Sequence, residues 1–74
     1  MTKLRVLSGR DACRILSQHG FRQVRQKGSH IFMQKEEKGT TITVPVPDHR
    51  ALKRGTLLGI IKQSGLSRTL FETE

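Results

Sequence analysis

The sequence predicts a two-layer α+β domain in the order helix, three antiparallel strands, helix, with both helices on one face of the sheet. Three observations lead there. Ala12, Ile15, Leu16 and His19 recur at i, i+3, i+4 and i+7, which is one face of an amphipathic helix. Ile42, Val44 and Val46 alternate with Thr41, Thr43 and Pro45, the period of a half-buried strand. Leu57, Ile60 and Ile61 then return to helical spacing. Burying both helical stripes against Ile42 and Val44 closes a core and leaves the other sheet face and the loops for function.

Leu4, Val6 and Leu7 form an apolar lead-in. Ser8-Gly9-Arg10-Asp11 is patterned as a capping box, with Leu7 and Ala12 spaced for a hydrophobic staple. Gly20 is the expected left-handed stop of the first helix, and His19 suits the negative end of its dipole as a structural residue. Cys13, beside the apolar stripe, reads as a small packing residue rather than a nucleophile. Residues 21–26 form a first strand with Phe21 and Val24 as its apolar members; their spacing of three implies a bulge or a late start. Gly28-Ser29 suits a tight hairpin turn.

A second strand covers residues 31–34. If Ile31 and Met33 face the core, then His30, Phe32 and Gln34 face away, and Phe32 is free to stack on a base; if Phe32 faces the core, His30 shares its side. Glu36-Glu37-Lys38-Gly39 is expected to turn into the third strand, residues 40–46, and Pro45 and Pro47 to end its ladder. Residues 48–54 form a polar connection. Thr56 is the expected N-cap of the second helix, Gly65 its stop and Leu66 the terminator's hydrophobic contact. Ser67 caps a last short turn in which Leu70 and Phe71 pack, while Glu72 and Glu74 fray.

Seventy-four residues make a single domain, 1–74. The 34% of hydrophobic residues suffices for a core and is too high for a disordered tail. Fourteen Lys and Arg against six Asp and Glu leave a formal charge of +8, which favours a polyanionic partner: nucleic acid first, an acidic protein second. One cysteine excludes an intramolecular disulfide and a multi-cysteine zinc site, and three scattered histidines without close carboxylates make no metal site. No cofactor is expected. No apolar run approaches the roughly 20 residues of a membrane span, and no signal-peptide block opens the chain, so the expected location is the cytoplasm.

The chemistry concentrates in Arg25-Gln26-Lys27-Gly28-Ser29-His30. Histidine, with an unperturbed pKa of roughly 6.5, exchanges protons near neutral pH. Cleaving RNA without a metal needs a base for the 2′-hydroxyl, an acid for the leaving oxygen and cations for the charge on phosphorus. His30 is the candidate acid or base, against the plain alternative of a histidine that merely sits on a strand. Arg22, Arg25 and Lys27 cluster before the turn; Arg50, Lys53 and Arg54 cluster before the second helix, whose N-terminus attracts phosphate. Arg25, Lys27, Gly28, Ser29, Lys53 and Arg54 form the candidate RNA-contacting set, and His49 is a candidate second proton-transfer group. No acidic cluster suits catalytic Mg²⁺. A non-catalytic RNA-binding module and an interaction protein for an acidic partner are the competing classes.

Read together, these segments resemble the HicA family of toxins, the mRNA-cleaving halves of HicA–HicB toxin–antitoxin pairs. The resemblance rests on Gly20-Phe21, on Val24-Arg25-Gln26-Lys27-Gly28-Ser29-His30, on Thr43-Val44-Pro45-Val46-Pro47 with His49, on Gly55-Thr56-Leu57 and on Ile60-Ile61-Lys62-Gln63-Ser64-Gly65-Leu66, in the family's order. It implies a fold like a double-stranded-RNA-binding domain, α-β-β-β-α. It also implies a metal-independent endoribonuclease that acts on mRNA without a ribosome, with His30 as catalytic residue and Gly28 and Ser29 shaping its turn. A HicB-like antitoxin that covers the basic surface is the implied partner. Pro47-Asp48-His49 departs from the family's pattern, in which the histidine commonly follows the first proline, and no catalytic role is carried to His49.

Overall fold

The computed structural model describes residues 3–73, with side chains through residue 72. Among these residues the chain runs β1 (Lys3–Leu4), α1 (Gly9–Gln18), β2 (Arg22–Lys27), β3 (His30–Glu37), β4 (Thr40–Pro47), α2 (Arg54–Ser64), a 3-10 turn (Arg68–Phe71) and β5 (Glu72–Thr73). β2, β3 and β4 form an antiparallel sheet with β3 at its centre, so the expected α-β-β-β-α arrangement is present. The sequence reading missed the pairing of β1 with β5, because two-residue strands are too short to show a period. Glu72, expected to fray, pairs with Leu4; Glu74 lies outside the described residues.

The capping box of α1 forms as expected. Ser8 Oγ accepts from the Asp11 N–H at 3.0 Å, and Asp11 Oδ2 accepts from the Ser8 N–H at 3.2 Å. Gly9 is required where it stands: a Cβ there would overlap the Pro47 carbonyl, and its N–H donates to the His49 carbonyl at 2.8 Å. With the Leu52 N–H donating to the Leu7 carbonyl at 2.7 Å, these bonds latch the start of α1 to the exit of β4. Gly20, at φ 95°, closes the helix in the left-handed region.

The core gathers Leu7, Ala12, Ile15 and Leu16 with Phe21, then Ile31 and Met33 of β3, Val44 and Val46 of β4, and Leu57, Ile60 and Ile61 of α2. Ile42 is partly buried against it. Ile31 and Met33 are only 4% and 1% exposed, which settles the question left open in β3: Phe32 lies on the outer face with His30. The expected irregularity in β2 is a bulge. Pairing steps from Gln23–Met33 to Arg25–Phe32, so Val24 is the extra residue; it is 41% exposed and not a core partner of Phe21.

Two expectations are corrected. The ladder ends at Pro47, opposite His30, but not at Pro45, which lies within β4 opposite Phe32. β4 has a single neighbour, and at such an edge a missing N–H leaves no ladder bond unmade. Thr56 does not cap α2. The Leu57 N–H donates to the Lys53 carbonyl at 3.0 Å, which carries the helical ladder upstream, so Lys53 is the N-cap and no side chain bonds there. The second hairpin turn is also tighter than expected: Lys38 and Gly39, at φ 50° and 79°, make a two-residue connection, and both strands run longer.

Gly65 at φ 72° stops α2, and Ser67 Oγ accepts from the Thr69 N–H to open the 3-10 turn that buries Phe71. No helix among the described residues is long and apolar enough to cross a membrane.

Replacing Ser8 by Ala should lower unfolding stability by about 1 kcal/mol, measured by denaturant titration, with activity unchanged. The Asp11 carboxyl is held below its usual range, chiefly by the Ser8 N–H, then by the Ser8 hydroxyl and Arg14. Its contribution is therefore complete above about pH 4 and is lost as pH falls through the lower folded-state value. Asp11→Asn should flatten that part of the acid limb of stability.

Candidate active site

β3 is central, so the residues facing away from its buried ones define a surface. His30, Phe32 and Gln34 point outward, and their partners in β2 are Lys27, Arg25 and Arg22. Directly opposed residues project to the same side of a sheet. The bulge decides this set. In a regular strand Arg22 and Arg25, three apart, would lie on opposite faces, whereas the extra residue at Val24 puts Arg22, Arg25 and Lys27 on the face that carries His30. The Arg25 guanidinium sits 4.6 Å from the centre of the Phe32 ring, so that ring already holds a cation.

His30 leaves the two-residue turn Gly28-Ser29, where Gly28 takes φ 59°. The turn is tied on both sides. Gln26 Nε2 donates to the Gly28 carbonyl at 3.2 Å, and the Asp48 N–H donates to the Ser29 carbonyl at 2.6 Å. Cross-strand neighbours Lys27 and Pro47 flank His30. Its side chain is exposed and makes no hydrogen bond among the described residues, which leaves both ring nitrogens free for a ligand.

Beside it lies a cleft of about 670 Å³, lined by His30, Pro45 and Pro47 of the sheet and by Gly55, Thr56, Gly59, Ile60, Lys62 and Gln63 of α2. Helix α2 packs along β4, the edge strand, and supplies the other wall of this cleft. Four acidic side chains are engaged elsewhere, Asp48 with Arg10, Asp11 with Arg14, Glu37 with Lys35 and Glu72 with Arg68, while Glu36 lies at the far end of β3 from His30, where it lines a hollow with Arg22. Arg22, Arg25, Lys27 and Lys62 make no ion pair among the described residues, so the positive charge around His30 is uncompensated.

Not every expected residue converges here. Lys53, the N-cap of α2, and Arg54, its first residue, are outside the cleft lining. Arg54 borders a hollow of about 210 Å³ with Leu4, Arg5, Val6, Leu52 and Leu57. His49 is absent from the cleft as well; its carbonyl accepts from Gly9 on the α1 side. The intervening Asp48 spends its N–H on the turn at Ser29 and its carboxylate on Arg10. Sequence reasoning gave no site role to Thr56, Lys62 or Gln63. The spacing of Thr56 and Gln63, seven apart and so on one face of α2, was available as a signal, but the edge position of that helix was not.

A family model described as HicA toxin of bacterial toxin-antitoxin matches residues 9–66. The chain belongs to the HicA toxin family. The matched span starts at the capped helix α1, takes in the Gly28-Ser29-His30 turn and the whole sheet, and ends just past α2. The protein is thus a toxin of a toxin–antitoxin system, a class that works with an antitoxin partner. A search of curated proteins finds no match.

No group of three or more His, Cys, Asp or Glu side chains placed to hold a metal ion occurs among the described residues. Cys13 is no nucleophile either. Burial pushes its thiol up to about 11, and Asp48 adds to the shift. At pH 8 its alkylation by iodoacetamide should run roughly a hundredfold slower than that of an open thiol and recover on unfolding. A rate equal to that of free cysteine would contradict the burial.

Proposed function

We propose that this HicA-family toxin is a metal-independent endoribonuclease that cleaves mRNA in the cytoplasm, with His30 as its general acid or base and a HicB-like antitoxin as its inhibitor. The observation that carries the proposal is the unengaged imidazole of His30 at a cleft mouth, on a sheet face whose cations lack carboxylate partners. As a base, His30 takes the proton of a ribose 2′-hydroxyl, whose oxygen then attacks the adjoining phosphorus. As an acid, it protonates the departing 5′-oxygen, which leaves a 2′,3′-cyclic phosphate. Arg25 and Lys27, beside it in the register, oppose the charge that builds on the phosphorane; Arg22 extends the same row along the strand. Gly28 and Ser29 present backbone at the turn, close to any phosphate that reaches His30. Lys53 and Arg54, outside the cleft lining but next to its Gly55, serve as outlying phosphate contacts at the start of α2. An acidic antitoxin surface laid over the cationic face would block RNA and His30 together.

A non-catalytic RNA-binding module of the same fold is the second reading. It is favoured by the absence of His49, the candidate second proton carrier, from the cleft lining.

The deciding experiment incubates the purified toxin with labelled mRNA in excess EDTA beside His30→Ala. Cleavage by the parent and none by a folded His30→Ala is the expected result; binding without cleavage by either selects the second reading. Lys27→Ala and Arg25→Ala should each weaken RNA binding and lower the slope of log K against log salt by about 0.7 on single strands.

A further inference from the structure

Gly59 lies in the middle of α2, where glycine costs helical stability relative to alanine. Five of the chain's seven glycines have visible reasons. Gly20, Gly28, Gly39 and Gly65 take positive φ, and Gly9 abuts the Pro47 backbone. Gly55 and Gly59 do neither: both are helical, and a Cβ built on either meets no atom within 4 Å. Both line the cleft beside His30. One turn apart on the helix, they leave a gap in its wall between the side chains of Thr56, Ile60, Lys62 and Gln63.

The opposite wall is formed by Pro45 and Pro47, the outward residues of β4 paired with Phe32 and His30. The slot is therefore apolar on the sheet side, and on the helix side it is open at the two glycines between flanking side chains. Lys62 is the lysine of its lining, and it lacks an ion-pair partner among the described residues. A flat apolar body with an anion attached suits those walls, and a nucleobase with its phosphate is such a body. A base still paired in a helix offers only its edge and cannot enter.

We propose that this slot takes one unpaired base of the RNA, which seats the adjoining phosphodiester at His30, and that Gly59 and Gly55 are kept without side chains to admit it. The proposal rests on the ribonuclease reading and adds the substrate class: single-stranded rather than duplex RNA, despite a fold of the double-stranded-RNA-binding kind. Lys62 holds the phosphate of the seated nucleotide.

The test uses His30→Ala protein, which leaves substrate intact, with fluorescent single-stranded RNA and the blunt duplex of the same sequence at fixed salt. Single strand should bind more tightly. Gly59→Leu in that background should weaken single-strand binding about tenfold, the scale of one lost base contact, and leave duplex binding unchanged. Gly59→Ala should do the same more mildly while raising the melting temperature, so the loss cannot be assigned to unfolding. Equal affinity of parent and Gly59→Leu for single strands, or preference for the duplex, overturns the slot while the cleavage assay in EDTA still judges the ribonuclease reading by itself. Absence of any RNA binding overturns both.

Discussion

The alternation of β3 is the constraint on which the rest of the structure depends. Side chains of a strand point by turns to opposite faces, so burying Ile31 and Met33 forces His30 and Phe32 outward. A slip of one residue would bury the histidine and expose the core. Two fully buried apolar side chains, each worth about 1.5–3 kcal/mol, hold the register against that slip. The placement of the site is thus a consequence of core formation and needs no separate stabilising device.

What surrounds β3 refines this placement. The Val24 bulge brings Arg22 to the same face as Arg25 and Lys27, and the hydrogen bond from Asp48 to Ser29 anchors the turn from which His30 emerges. Asp48 in turn holds Arg10 of α1, and Gly9 docks against Pro47. The start of α1, the end of β4 and the β2–β3 turn therefore form one connected corner. Backbone hydrogen bonds from Gly9, Asp48 and Leu52 join most of its parts, and these order no long side chain, which keeps the entropy cost low.

Charge follows a similar division. The scarce carboxylates pair with Arg10, Arg14, Lys35 and Arg68, while the cations of the outer sheet face stay unpaired. Exposed ion pairs contribute little to stability, so the arrangement matters for the potential it leaves around the cleft. That potential draws a polyanion, and an acidic antitoxin surface meets the same attraction.

The order of elements, the capping box, the stops at Gly20 and Gly65, and the apolar stripes were legible in the sequence, because each arises from neighbours within a few residues. His30 at the exit of a Gly-Ser turn was legible for the same reason. Pro45 and Thr56 were misread because their roles depend on an edge and on a helix start that lies upstream of the local signal. The sequence by itself determined which segments become the two helices and the strands of the three-stranded sheet, since periodicity is a local property. Only the tertiary structure decided that Lys62, Gly55 and Gly59 share a cleft with His30 while His49, Lys53 and Arg54 do not. That outcome depends on where α2 stands against the β4 edge, and the packing of a whole helix on a sheet sets it.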